Sequence, residues 1–116
     1  MSTKTLGTKG EKIAADFLCH HGLEIVERNF RYGHGEIDII AKKGNLIIFC
    51  EVKTRTGSAY GKGEDAVNEK KQKQIRRVAE GYISGRELDG YDFRFDVVVV
   101  EIKRNQTKIR IIENAF

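Results

Sequence analysis

The sequence predicts a single α/β domain, one sheet with helices packed against it, in the order α-β-β-β-α-β-β. Three observations carry that expectation. Ile75, Val78, Ala79, Tyr82 and Ile83 recur at i, i+3, i+4, i+7 spacing, the stripe of a helix with one buried face. Residues 97–100 are four valines in a row, apolar on both sides, as a central strand requires. The apolar runs at 37–40 and 46–50 are separated by Lys43-Gly44-Asn45, a turn that lets them pair as a hairpin. At 116 residues the chain has room for one modest core.

Residues 1–8 read as a polar, frayed tail. Residues 9–21 follow as a helix, with Ile13, Ala14, Phe17 and Leu18 at helical spacing and Gly22 as its C-cap. Residues 23–30 suit a first strand, and the glycine-rich turn 31–35 leads into the strand that holds Asp38. After Lys53, residues 54–64 are rich in glycine and small polar side chains and read as a loop. It fits a floppy connection or a flap over a substrate, with Tyr60 able to stack on a base. Residues 65–84 form the second helix and 85–90 a turn. Residues 93–103 are the central strand, and 108–113 alternate basic residues with isoleucine, as an edge strand with one wet face does. Asp96 opens the valine run with three roles open to it: capping, pairing with a cation, or ending the apolar segment.

Composition narrows the class. Hydrophobic residues make up 40% and charged residues 33%, ordinary for a well-solvated globular protein. No apolar run approaches the roughly 20 residues that cross a bilayer. The polar start lacks a signal-peptide core, so a cytoplasmic location is expected. Two cysteines, Cys19 and Cys50, make neither a disulfide framework nor a zinc site, and both read as small buried apolar residues. A net charge of +4 permits an anionic partner without demanding one.

The chemistry concentrates where charge interrupts apolar strands. Asp38 stands among Ile37, Ile39 and Ile40, and residues 46–50 run straight into Glu51. Carboxylates in such strands cost too much desolvation unless they are paired or hold a cation. Period-two alternation puts Glu51 and Lys53 on one face, and the hairpin brings Asp38 alongside. Two carboxylates and a lysine suit a divalent metal, Mg²⁺ or Mn²⁺, acting on a phosphodiester, with the Val52 carbonyl as a third oxygen ligand. As a text string the pattern is common, and a hairpin with two solvated, compensating charges fits it as well. Glu11 is either a first-turn acid favoured by the helix dipole or an extra metal ligand. His34, between two glycines, reads as a solvated turn residue outside the site.

Lys70, Lys71, Lys73, Arg76 and Arg77 crowd one helix. Such a run serves as a solvated face or meets phosphates. Lys71 lies four residues before Ile75, on the inward edge, from which its ammonium can reach a phosphate held by the sheet. Arg55, Lys62, Lys71, Lys73 and Arg76 are the candidate nucleic-acid contacts. A P-loop, GxGxxG, GxSxG and HExxH are all missing from the sequence, so other reaction types are poorly supplied.

At these residues the sequence resembles the PD-(D/E)XK nuclease superfamily, and more closely the YraN-like family of small, uncharacterised bacterial proteins. The matching pieces are Gly10-Glu11-Lys12-Ile13-Ala14-Ala15, Gly35-Glu36-Ile37-Asp38-Ile39-Ile40-Ala41 and Phe49-Cys50-Glu51-Val52-Lys53-Thr54-Arg55. Lys71-Gln72 with Ile75-Arg76-Arg77 and Ala79 also matches, as does Phe95-Asp96-Val97-Val98. Together they span nearly the whole chain in order. The resemblance implies a restriction endonuclease-like fold, a mixed β-sheet flanked by helices, as in archaeal Holliday junction resolvases. It implies Asp38 and Glu51 as metal ligands, Lys53 as the catalytic lysine and Glu11 as the N-terminal helix glutamate. Cys50, where valine is more usual, is a departure that keeps a small apolar side chain.

The function these features point to is a metal-dependent endonuclease acting on DNA, selective for branched or damaged structure rather than sequence, since so short a chain leaves little room for a base-reading module. Resolvases cut as dimers, which points to a homodimer here. The competing reading is a non-catalytic module that docks on nucleic acid or within a repair complex.

Overall fold

A computed structural model of the chain describes residues 3–56, 67–104 and 106–116. Its elements are α1 (Thr3–His20), β1 (Glu24–Tyr32), β2 (Gly35–Lys43), β3 (Leu46–Thr56), α2 (Glu69–Ser84), β4 (Asp92–Lys103) and β5 (Gln106–Ile112). The sheet order is β1-β2-β3-β4-β5. All neighbours are antiparallel except β3 and β4, which run parallel because α2 carries the chain across between them. The element order and the mixed sheet are those expected from the sequence.

The sheet separates two cores. On one face α2 packs Ile75, Val78, Ala79 and Tyr82 against Ile37, Ile40, Ile47, Phe49, Val97 and Val99. On the other, α1 packs Ala14, Ala15 and Leu18 against Ile39, Ala41, Ile48, Cys50, Val98 and Val100. Residues 97–100 are buried on both sides, as a strand covered by two helices demands. Phe49 anchors the α2 side, edge-on to Tyr82 at 5.9 Å and stacked on Phe95 at 5.3 Å. A buried aromatic of this kind contributes about 1.5–3 kcal/mol by transfer alone.

Several boundaries move. Helix α1 begins at Thr3, so the expected frayed tail is helical from that residue. Leu6 extends the stripe of Gly10, Ile13 and Phe17 by one turn, and no proline interrupts the ladder. Strand β3 continues through Thr56, where the sequence reads a loop, because Thr54, Arg55 and Thr56 pair with Val100, Glu101 and Ile102 of β4. Helix α2 starts at Glu69 rather than at 65, since the Asn68 side chain caps it by accepting the Lys71 N–H at 2.8 Å. The remainder of the expected loop, with Tyr60 and Lys62, lies outside the described residues. Cys50 is buried as expected, but Cys19 is exposed, on the outer side of α1. Asp96 is buried and paired: Arg94 donates to both its oxygens at 2.9 Å, and the Asn114 N–H to Oδ1 at 3.0 Å.

Among the described residues no helix is long and apolar enough to cross a membrane.

Candidate functional site

Strand β2 breaks its alternation once, at Asp38. Ile37 and Ile40 both face the α2 core, while Ile39 and Ala41 face the α1 core. Unbroken alternation would put Ile37 and Ile39 together. Opposite the break, β1 places Asn29 between the Arg28–Ile39 and Phe30–Ile37 pairs, with a left-handed φ of 53°. Asparagine is one of the few residues that tolerates this conformation, so β1 bends with β2.

At the same point β2 parts from β3. Their pairing runs from Lys43–Leu46 to Ile39–Cys50 and goes no further, although β2 stays paired with β1 down to Gly35. Into the opening reaches the Asp38 carboxylate, whose Oδ2 accepts the Val52 N–H at 2.8 Å. A side chain thus satisfies a strand donor that the hairpin has released.

The carboxyl groups of Asp38 and Glu51 meet in this opening, close enough to share a hydrogen bond. Burial, that shared bond and the neighbouring charge push the Asp38 carboxyl up to about 8, against the Val52 N–H, which favours the ionised form. Beside Glu51 stands Lys71 from α2, its Nζ 3.6 Å from Oε2. The Glu51 side chain is 12% exposed and that of Lys71 41%, so the glutamate is nearly covered and the lysine reaches in from the rim. The inward placement expected of Lys71 is what α2 delivers. Lys53 is half-buried two residues beyond Glu51, and their β4 partners, Val99 and Val97, both belong to the α2-side core. Arg55 follows at the next position of that alternation, half-buried.

Glu11 stands on the other side of the sheet. Its Oε1 accepts from Asn29 Nδ2 at 2.7 Å, so the residue that bends β1 also positions the glutamate. Burial raises its pKa, the Asn29 bond opposes this, and the charges of Asp38 and Glu36 raise it further. Among the described residues no group of three or more His, Cys, Asp or Glu is gathered tightly enough to hold an ion. The close pair is Asp38 and Glu51, with Glu11 held aside by Asn29.

Helix α1 is brought to this point by Gly10. A Cβ there would collide with the side chain of Thr54, the residue after Lys53. Gly35 does the same for α2, since a Cβ would run into Val78 and Gln74. His34 is exposed, and its carbonyl accepts from Gln74 Nε2 at 3.2 Å, a turn residue as expected.

The basic residues of α2 divide. Asn68, Lys70, Lys71, Lys73, Gln74 and Arg77 line an open groove of about 480 Å³ beside Glu51. Arg76 instead lies over Phe95 and Phe116, at 4.8 and 5.6 Å from the ring centres, where its cation serves packing of the C-terminus.

Two residues of the site were not expected from the sequence. Glu36 acts electrostatically on both Asp38 and Glu11 while lying 3.9 Å from Arg31 Nε. Its signal was present, as an acid two positions before Asp38. Asn29 offered only a weaker one, an asparagine inside an apolar strand.

The donor set suits a hard divalent cation. Its donors are carboxylate oxygens, and two carboxyls held together favour a proton or a cation between them. Asp38 and Glu51 would hold it, while Glu11 is engaged by Asn29.

Comparison with known proteins places the chain among relatives of the same length. The model of an uncharacterised protein family, UPF0102, matches residues 10–100. A UPF0102 protein of Caldicellulosiruptor bescii is 49% identical over 119 residues and covers both chains completely. One from Alkaliphilus metalliredigens is 48% identical over 114 residues, covering 98% of this chain and 99% of its own. Among solved structures, Pyrococcus furiosus SfsA in complex with Ca²⁺ aligns with 98% of this chain and 63% of that one. The identity is 15% and the TM-score 0.37, a likeness too distant to bear on function. Matched across most of its length and by relatives that share nearly half its residues, the chain belongs to the UPF0102 family.

Proposed function

We propose that the protein is a metal-dependent endonuclease that hydrolyses phosphodiester bonds of DNA, with a preference for branched or damaged structure. The observation that carries the reading is the Asp38–Glu51 pair, two carboxyls brought together where β2 and β3 separate. A protein that only bound nucleic acid would gain nothing from two acids beside a phosphate, because without a cation they repel it.

Mg²⁺ or Mn²⁺ bound there would supply a Lewis acid and an acidified water. The chain's own groups do the rest. Asp38 is oriented by the Val52 N–H, which holds its Oδ2. Glu51 shares its face of β3 with Lys53, which offsets charge gathering on the phosphate as the water's oxygen bonds to phosphorus and the P–O ester bond breaks. Lys70, Lys71, Lys73 and Arg77 line the neighbouring groove, where a sugar–phosphate backbone finds counter-charge. A homodimer is part of the proposal, since a protein of this size cuts both strands of a branched substrate most simply as a pair.

The test is cleavage of labelled duplex, single-stranded, flap and four-way-junction DNA with Mg²⁺, Mn²⁺ or EDTA, with Lys53→Ala beside wild type. Metal-dependent cutting that the variant loses is the expected result. Salt-sensitive binding with no cutting would replace the enzyme with a nucleic-acid-binding module.

A further inference from the structure

A second basic groove lies on the opposite side of the sheet from α2. Lys4, Thr5, Thr8, Lys9 and Lys12 of α1, with Arg28 of β1, line an open space of about 500 Å³. Positions 4, 8 and 12 fall on one line of the helix, and 5 and 9 on the adjacent one. All four cations are exposed. Acidic neighbours are few: Asp16 meets Lys12 at 3.1 Å in an exposed pair of little energetic weight, and Glu11 lies near enough to feel Arg28.

The position of this groove relative to the acid pair is fixed by two contacts. Gly10, between Lys9 and Glu11, rests on Thr54 directly after Lys53. Glu11, between Lys9 and Lys12, is held by Asn29, the β1 residue opposite Asp38. The α1 groove therefore adjoins the site from one face of the sheet, as the α2 groove adjoins it through Lys71 from the other.

We propose that the α1 groove is a second backbone-binding surface that takes the phosphates of the nucleic acid on the far side of the cut. The proposal rests on the nuclease reading and extends it from a site to a substrate path. From Lys4 to Lys12 the helix rises about 12 Å, which matches a run of roughly three to four phosphates along one DNA strand rather than a single anion. The groove is open and lined by side chains with long, mobile stems, which suits a backbone contacted without regard to sequence. Substrate bound in both grooves wraps the end of the sheet where the acids sit, so a nucleic acid that bends or branches there meets both grooves, and a straight one meets them less completely.

The experiment measures binding of a fluorescein-labelled four-way junction and a duplex of equal length by anisotropy, in EDTA, from 50 to 200 mM NaCl. The variant is Lys4→Gln/Lys9→Gln/Arg28→Gln, with circular dichroism to show that it folds, and Lys9→Gln alone as a milder change. The triple variant is expected to bind the junction more weakly and to lower the slope of log affinity against log salt by about 2.7, three contacts at about 0.9 each. The duplex should lose less. Unchanged affinity and slope for both DNAs, or a wild type that binds neither, would overturn the proposal. If the triple variant loses affinity and slope as expected yet wild type never cuts with Mg²⁺ or Mn²⁺, the nuclease reading falls and the groove stands as a backbone-binding surface. If wild type cuts while the triple variant binds both DNAs unaltered, the nuclease reading stands and the groove falls.

Discussion

Lys71 Nζ lies 3.6 Å from Glu51 Oε2, so a cation of the chain occupies one flank of the acid pair. The two residues come from different elements, α2 and β3, and meet because the Asn68 cap starts α2 where Lys71 falls in its first turn, beside the strand. An ammonium beside Glu51 competes with any other cation for that carboxylate. Replacing it by methionine keeps the apolar stem and removes the charge. Lys71→Met should tighten Mn²⁺ binding by about 1.5- to 5-fold, the scale of a partly exposed ion pair, and weaken DNA binding. Calorimetric titration with Mn²⁺ reads the first effect and anisotropy the second. Weaker Mn²⁺ binding in the variant would show that Lys71 supports the acids rather than competing at them.

Lys53 tests the chemistry apart from the fold. It is half-buried on β3, and its backbone partner is Val99 of β4, which alanine retains. Lys53→Ala should therefore keep the thermal midpoint near that of wild type while lowering cleavage by about 10²-fold or more, the usual loss when a group that stabilises transition-state charge is removed. DNA affinity should hold. Full cleavage by this variant would sink the assignment of the site.

Asp38 makes stability depend on pH in a stated direction. Its carboxyl titrates near 8 in the folded chain, against an ordinary value of 3.8. Between those values the folded protein keeps a proton that the unfolded chain has lost, so stability falls as pH rises across about 4 to 8. Glu11, also raised by burial, acts in the same sense. Urea midpoints measured at pH 5, 6, 7 and 8 should decline in wild type and decline less in Asp38→Asn. Because a bound divalent ion displaces the same proton, Mg²⁺ should flatten the wild-type profile and have little effect on the variant. A wild-type profile that rises over this range would contradict the carboxyl pairing.

What the sequence shows of this fold follows the range of the interaction responsible. The stripe of Ile75, Val78, Ala79 and Tyr82, the double-sided valines 97–100 and the turn at Gly44 are local patterns, and each lies where it was expected. The shared face of Glu51 and Lys53 follows from alternation alone. The break at Asp38 does not: it needs Asn29 to adopt a left-handed φ on a neighbouring strand. The extension of β3 through Thr56 depends on β4, some 46 residues further on in the register of Thr54 with Val100. Cys19 turns outward because Ala15 and Leu18, not Cys19, fall on the buried stripe of α1, a matter of helix phase that composition cannot report.

Gly10 shows how closely packing and site are joined. A Cβ at this position would overlap the Thr54 side chain, so α1 could stay in place only if Thr54 moved. Thr54 is paired in β3 and cannot move freely without disturbing Lys53 beside it. Gly10→Ala should then cost about 1–3 kcal/mol, the usual penalty of overpacking, even though alanine is the better helix former by about 1 kcal/mol. Thr54→Ala alone removes the two atoms at the end of that side chain and should restore part of the loss when combined with Gly10→Ala. The measurement is a double-mutant cycle by urea denaturation, in which the pair should couple by about 0.5–3 kcal/mol. Cleavage should fall further than stability in the single variant, because the displaced α1 carries Glu11 away from Asn29 and pushes on the strand that holds Lys53. Independent effects of the two substitutions would mean that α1 is seated by its apolar stripe alone and that Gly10 has no part in placing the site.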